Sequence, residues 1–183
     1  MVGVLVVPAN FGDVGVLLEV AGRAEAVFPV PVSVRVDPYP VVLPLTLYDF
    51  DRMQYRADLV NGFLAERFSG ILEPGRRLLV AVVEGDGFVE GLNFVFGLAS
   101  PGLAVASVYT ARLRLGVSRE RFVERLVKVV VHEVGHLLGL GHCRNYCVMR
   151  FSNSLGELDS KPARFCPECS ARLRRLLDVD YES

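Results

Sequence analysis

The sequence predicts an α/β domain in which helices pack against a mixed, twisted five-stranded sheet. The length of 183 residues suits one domain, and 51% of the residues are hydrophobic, which is ample for a core. Short apolar runs typical of strands alternate with longer runs of helical periodicity, and this alternation favours a sheet covered by helices.

The first half of the chain predicts three strands and two helices. The apolar run 2–7 and the alternating run 31–39 favour strands, and the continuous apolar run 77–84 favours a buried strand. Apolar positions spaced by three and four residues predict helices over 14–28 and 49–68. The apolar stripe of the second helix consists of Tyr55, Leu59, Phe63 and Leu64.

The second half predicts two more strands and one long helix. GLNFVFGLA (91–99) and LAVASVYTA (103–111) favour strands on either side of a Ser-Pro-Gly turn. Ser118 is a suitable N-cap for a helix that runs to about Leu138, and Glu120 is favourably placed in the first turn. This helix carries the histidines described below.

We expect a single domain over 1–183 with two subdomains. Residues 1–141 contain the predicted sheet and the long helix. Beyond residue 142 the apolar periodicity ends, and a tail of this kind has no core of its own and needs a cross-link such as a metal ion. Residues 142–183 are therefore predicted to form a small C-terminal subdomain held together by zinc.

All three histidines of the chain lie in VVVHEVGHLLGLGHC, residues 129–143. His132 and His136 are four residues apart, so a helix places both imidazoles on one face, whereas a strand separates them by about 13 Å. Gly139 can adopt the left-handed conformation that ends a helix, and the resulting turn brings His142 back to the same ion. The segment HEVGHLLGLGH matches H-E-x-x-H-x-x-G-x-x-H at every fixed position.

This pattern predicts a catalytic zinc site. Neutral imidazole suits Zn²⁺, and three protein ligands leave a fourth position for water, as in catalytic rather than structural sites. Glu133 follows the first histidine and is the expected general base. The alternative, ordinary core or surface histidines, requires five motif positions to agree by chance.

The four cysteines predict a second, structural zinc site. Cys143 and Cys147 form one pair and Cys166 and Cys169 form a C-x-x-C pair, and four thiolates make a closed tetrahedral site. His142 and Cys143 are adjacent, so their side chains diverge towards two different ions. Buried thiols or two disulfides are the alternatives.

The combined motifs resemble those of the archaemetzincins, a family in the metzincin clan of metallopeptidases. The resemblance is carried by a cysteine directly after the third histidine, the Cys147-Val148-Met149 step, the later C-x-x-C and the segment GLNFVFGLA. It implies a zincin-like peptidase with two zinc ions per chain: His132, His136 and His142 bind the catalytic ion, Glu133 is the base, and the cysteines bind the structural ion. Met149 is expected beneath the catalytic metal.

Two positions depart from the family pattern. Three residues separate Cys143 from Cys147 where the family usually has four, which changes only the loop geometry. Phe151 stands where some metzincins carry a tyrosine, so a hydroxyl cannot stabilise the oxyanion there.

These motifs predict a zinc-dependent peptidase that acts on peptides or proteins. A catalytically inactive zinc-binding adaptor of the same fold is the alternative, although metal binding alone does not require Glu133. A third hypothesis is nucleic-acid binding, suggested by Arg172, Arg174 and Arg175. The net charge of −1 does not favour it. The N-terminus starts apolar without a basic leader and no apolar run has the length of a membrane span, so a cytoplasmic protein is expected.

Overall fold

Strands and helices alternate along the first three quarters of the chain, as the apolar periodicity predicts. The computed structural model describes residues 1–178. In chain order the elements are β1 (Val2–Ala9), α1 (Val14–Glu25), β2 (Val32–Val36), β3 (Tyr48–Asp49), β4 (Gln54–Arg56), α2 (Ala57–Arg67), β5 (Arg77–Val83), β6 (Gly87–Phe88), β7 (Gly97–Ser100), β8 (Val105–Tyr109), α3 (Thr110–Leu113), α4 (Arg119–Leu137), α5 (Leu155–Ser160) and α6 (Pro167–Asp178). Two short 3-10 turns lie at Leu45–Leu47 and Pro101–Leu103.

The main sheet has five strands in the order β2-β1-β5-β8-β7. The first four strands are mutually parallel, and β7 is antiparallel to β8, so the predicted mixed five-stranded sheet is confirmed. Within residues 1–178, β7 pairs with β8 alone and forms one edge of this sheet. Three short strands form a second sheet in the order β3-β4-β6.

Both faces of the main sheet are buried, which explains why β5 is apolar at consecutive positions. Leu78, Val80 and Val82 point into the core that contains α1 and α4. Leu79, Ala81 and Val83 point into the opposite core, to which α2 contributes Ala57, Val60 and Leu64. Successive side chains of a strand face opposite sides, so one apolar run serves two cores.

Helix α4 forms as its sequence predicts. The Ser118 side chain accepts a hydrogen bond from the Arg121 backbone N at 3.3 Å, and Glu120 lies in the first turn. The helix ends at Leu137, one residue before the predicted end, and Gly139 follows with a positive φ of 92°. Its second half is buried on nearly all sides because the C-terminal segment packs over the face that the sheet leaves uncovered.

The predicted helix over 49–68 is wrong in its first half. The antiparallel pair β3 (Tyr48–Asp49) and β4 (Gln54–Arg56) takes its place, with a turn at 50–53, and the helix begins only at Ala57. The ring of Tyr55 lies 4.9 Å from that of Tyr48, and its backbone N donates to Asp86 O. Leu59, assigned to the apolar stripe, is 39% exposed. Tertiary partners outweigh the helical spacing here.

The strand predicted over 91–99 is also shorter than expected, since only Gly97–Ser100 is a strand. Residues 91–96 form a loop in which the carbonyls of Leu92 and Asn93 accept hydrogen bonds from Arg52 Nη2, at 3.2 and 3.1 Å. Arg52 lies in the turn between β3 and β4, so these carbonyls are bound by a side chain next to the second sheet rather than by a neighbouring strand of the main sheet. The remaining strands and α1 agree with their predicted positions, with ends shifted by a few residues.

The segment after His142 contributes to the same core as α4. Val148, Met149, Leu158 and Leu173 are buried in the cluster that contains α1 and α4. Residues 179–183 of the predicted C-terminal subdomain lie outside the described residues. In the part of the chain that the structure describes, no helix is both long and apolar enough to cross a membrane.

Candidate metal centres

Helix α4 places His132 and His136 side by side, as their spacing predicts. Their Nε2 atoms are 3.0 Å apart, and their ring centroids are separated by 4.6 Å. His132 is only 8% exposed, and His136 is half-buried.

The turn at Gly139 brings His142 to the same place. After the helix, Leu140 N donates to Gly135 O at 2.9 Å, which closes the chain reversal. The ring of His142 then lies 4.8 Å from that of His136 and 5.4 Å from that of His132. One ring nitrogen from each of the three residues lies within 4.8 Å of the others.

Hydrogen bonds on the far side of two rings determine which nitrogen is free. His132 Nδ1 lies 2.9 Å from Val148 O and His136 Nδ1 lies 2.8 Å from Leu140 O. A carbonyl oxygen only accepts, so each Nδ1 carries the proton and each Nε2 keeps its lone pair. Burial lowers the pKa of all three histidines, including His142, which favours neutral rings. This donor set suits zinc.

The side chain of Glu133 projects from α4 towards the edge strand β7. A Cβ placed on Gly97 would be 2.6 Å from Glu133 Oε1, so the strand passes directly over the carboxylate. Burial raises the pKa of Glu133 to about 8, and the nearby Lys161 ammonium acts in the opposite direction. Burial and the close approach of Gly97 leave the carboxyl group of Glu133 little room to move.

A cavity of about 680 Å³ opens over these residues. Its lining combines the loop and strand at 94–99 with the three histidines, Glu133 and the segment 151–153. The segment 91–99, predicted as a strand, is thus part of the cavity wall, although only its last residues are in strand conformation.

The four cysteines also converge. Their sulfur atoms lie within 4.8 Å of one another, all four thiols are free, and the Cys143 and Cys166 sulfurs are 3.8 Å apart. The disulfide alternative is therefore wrong, since a disulfide requires about 2.05 Å. Backbone N–H groups of Met149 and Cys166 point at Cys147 Sγ at 3.5 and 3.3 Å, a contact that favours a thiolate. Four thiolate donors suit a closed zinc site.

Met149 connects the two clusters. It is fully buried, and a Cβ on Gly135 would overlap its sulfur atom, so it lies directly against α4 at a position between His132 and His136 in sequence. Its carbonyl accepts from Cys143 N at 3.0 Å. Phe151 follows in the cavity wall, with its ring 5.1 Å from that of His142.

Two residues of the cavity were not singled out from the sequence. Lys161 is 5% exposed, and its Nζ donates to Arg150 O at 2.8 Å. Burial lowers the pKa of Lys161 to about 8, and the Glu133 carboxylate acts to raise it. The Oγ of Ser152 is buried with no hydrogen-bond partner in the described structure. The one feature of the sequence that could have drawn attention to Lys161 is that the chain has only two lysines.

Comparisons with known proteins agree with this geometry. The model of Peptidase family M54 matches residues 16–175. The archaemetzincin of Aeropyrum pernix is 44% identical over 171 residues, which are 92% of this chain and 91% of that protein. The crystal structure of archaemetzincin from Methanopyrus kandleri has a TM-score of 0.80 at 32% identity, covering 97% of this chain and 96% of that chain.

A zinc-dependent peptidase from Methanocorpusculum labreanum has a TM-score of 0.79 at 31% identity, covering 93% of this chain and 100% of that chain. The family model, the relatives and the fold agree over nearly the whole chain, and the histidine and cysteine clusters each have the composition of a zinc site. This chain therefore belongs to the archaemetzincin family of zinc metallopeptidases.

Proposed function

We propose that His132, His136 and His142 hold the catalytic zinc of this peptidase and that Glu133 is its general base. The observation that carries this assignment is the convergence of three ring nitrogens beside a buried carboxylate at the base of one cavity. The Nδ1 hydrogen bonds of His132 and His136 orient both rings before any metal binds.

When bound, zinc supplies Lewis-acid activation, since it acidifies water and polarises a carbonyl oxygen. The rest of the mechanism belongs to the chain. A carboxylate oxygen of Glu133 accepts the proton of the attacking water and returns it to the nitrogen of the leaving amine. The close approach of Gly97 leaves the Glu133 side chain little room to move, which would keep the carboxylate positioned for this proton transfer.

Strand β7 is the proposed binding edge for the peptide. Within residues 1–178 its outer side is unpaired, and it borders the cavity at Gly97, Leu98 and Ala99. An extended peptide adds to such an edge as a further strand through backbone hydrogen bonds, which places a peptide bond above Glu133.

We propose that Cys143, Cys147, Cys166 and Cys169 bind a second, structural zinc, so that each chain holds two ions. Their four free sulfurs are the donor set of a closed site. The apolar residues of the segment around them pack into the core shared with α4 and form no separate core within the described residues, so a metal cross-link stabilises this segment. The zinc then holds together a C-terminal subdomain over 142–183, next to an N-terminal subdomain over 1–141. Four free cysteines also suit a reducing compartment, and a cytoplasmic location is proposed on that ground.

Peptide-library hydrolysis with and without chelator tests the catalytic assignment. The wild-type protein is expected to cleave peptides in a zinc-dependent way, and Glu133→Gln is expected to keep zinc and lose cleavage. The inactive-adaptor alternative predicts full zinc content without cleavage in either protein. Equal cleavage by the two proteins contradicts the role assigned to Glu133.

A further inference from the structure

Three cationic side chains are buried around α4, and two of them have a carboxylate partner. Arg125 forms two hydrogen bonds with Asp159, at 2.7 and 2.6 Å. Lys128 Nζ lies 3.3 Å from a Glu124 carboxylate oxygen and also donates to the carbonyls of Leu158 and Asp159. Buried charges are normally paired in this way, because desolvation without a counter-charge is unfavourable.

Lys161 is the exception among these three. It is 5% exposed, and its Nζ donates to Arg150 O, yet no carboxylate of residues 1–178 lies within 4.0 Å of it. His132 Nδ1 is 3.5 Å away, but this nitrogen carries a proton that faces Val148 O, so it cannot accept. Glu133 acts on the ammonium only at longer range. An ammonium has three N–H donors, and residues 1–178 provide an acceptor for one of them, the Arg150 carbonyl.

The lining of the cavity that Lys161 enters contains a second unsatisfied group. Ser152 Oγ is buried without a hydrogen-bond partner in the described structure, and Ser152 is two residues from the carbonyl that Lys161 contacts. Both residues line the active-site cavity. Much of the nearby lining is apolar, including Val129 and Leu158, and a low local polarity strengthens any hydrogen bond to a charge.

We propose that Lys161 and Ser152 form a carboxylate subsite in this cavity, and that the peptidase favours substrates with a carboxylate next to the scissile bond. A carboxylate accepts from both the ammonium and the hydroxyl, and it supplies the missing counter-charge. The carboxylate comes either from an Asp or Glu side chain or from the C-terminus of a short substrate. This inference rests on the proposed catalytic site, since it concerns the substrate of that site.

Matched peptides test the proposal. The zinc-loaded protein is given peptide pairs that differ only by Glu or Gln, placed in turn at each position flanking the scissile bond. We expect one position at which kcat/KM for the Glu peptide exceeds that for the Gln peptide by about 10- to 100-fold, the range of a hydrogen-bonded charge. Free and amidated C-termini, compared on peptides truncated at that position, distinguish the two sources of the carboxylate.

Variants then assign the preference to Lys161. Lys161→Met is expected to bring the Glu-to-Gln ratio near one, Lys161→Arg to retain part of it, and Ser152→Ala to reduce it by a few fold. Arg172→Gln is the matched control, because Arg172 lines the same cavity but is exposed, so the ratio is expected to persist. Lys161→Gln can still donate to Arg150 O and replaces the Met variant if that variant does not fold.

Binding to the Glu133→Gln variant gives a second readout without turnover. Calorimetry is expected to show tighter binding of the Glu peptide and loss of the difference when Lys161→Met is added. Ratios near one at every position, or equal losses for both peptides in the Lys161 variants, overturn the subsite and leave Lys161 as a support for the Arg150 carbonyl. Failure of the catalytic proposal looks different, since the wild type then shows no zinc-dependent cleavage of any peptide.

Discussion

Gly97→Ala tests the contact between the edge strand and the general base with a single methyl group. The added Cβ would lie 2.6 Å from Oε1 and 2.8 Å from Cγ of Glu133. Non-bonded heavy atoms prefer roughly 3.5–4.0 Å, so either the strand or the carboxylate must move by about 1 Å. Because Cγ as well as the terminal oxygen is too close, rotation of the carboxylate alone cannot relieve the overlap.

A displacement of this size predicts a large kinetic effect and a smaller effect on stability. A 1 Å misplacement of a catalytic group lowers the rate by about 100-fold, or roughly 2.7 kcal/mol of transition-state stabilisation. Overpacking of one methyl group lowers the free energy of unfolding by about 1–3 kcal/mol. We therefore expect kcat/KM to fall about 100-fold while the folded protein keeps its zinc, because the variant leaves the histidines unchanged.

The assay combines kcat/KM on a cleaved peptide with metal content and thermal unfolding. Gly102→Ala is the control, since Gly102 lies just past the same strand and nothing lies within 4 Å of the Cβ that it would gain. This control is expected to match the wild type. Wild-type activity in Gly97→Ala refutes the reasoning, because the carboxylate then tolerates displacement or β7 does not pass over it.

Three further predictions concern the two metal clusters and the support of α4. Glu133→Gln is expected to keep fold and zinc content and to lower kcat by about 10²- to 10⁴-fold, and unchanged turnover contradicts the assigned base. Cys166→Ser is expected to abolish the structural zinc and to weaken zinc binding at the site of the adjoining His142. The measurement is zinc per chain along a chelator series, and full retention of both ions argues against the four-cysteine site. The Arg125 guanidinium lowers the pKa of Asp159 by hydrogen bonding. This stabilisation is complete above the ordinary carboxyl pKa of about 3.9 and is lost as the pH falls through the lowered value. Asp159→Asn is therefore expected to reduce the free energy of unfolding by about 2 kcal/mol at pH 7. In denaturant titrations the difference from the wild type is expected to narrow as the pH falls below about 3.9; a difference independent of pH excludes the ion pair as its cause.

The local part of the site was predictable because helical geometry is periodic. His132 and His136 had to share a helix face once α4 formed, and Ser118 and Gly139 mark the two ends of that helix by capping chemistry. The pairing of the two cysteine motifs was predictable for a different reason. A tail without its own core needs a cross-link, and these four thiols were the candidates.

The errors lie where partners distant in sequence compete with local pattern. Tyr55 has the spacing of a helical residue, yet it lies in a short strand. Its ring packs against Tyr48, and its backbone pairs with Asp86 and Gly87. The loop at 91–96 has strand-like composition, but two of its carbonyls, those of Leu92 and Asn93, accept hydrogen bonds from Arg52. Neither set of hydrogen bonds can be read from the periodicity of a single segment.

By itself, the sequence determined the ligand sets, the long helix and the chemistry of zinc, because each depends on residue type and on spacing within a few turns. Tertiary structure alone decided that Gly97 lies against Glu133 and that Lys161 enters the cavity. The first contact joins residues 36 positions apart and the second joins α4 to the segment after α5. Contacts of this kind depend on how the sheet edge and the C-terminal segment pack around the helix, and no local propensity encodes that packing.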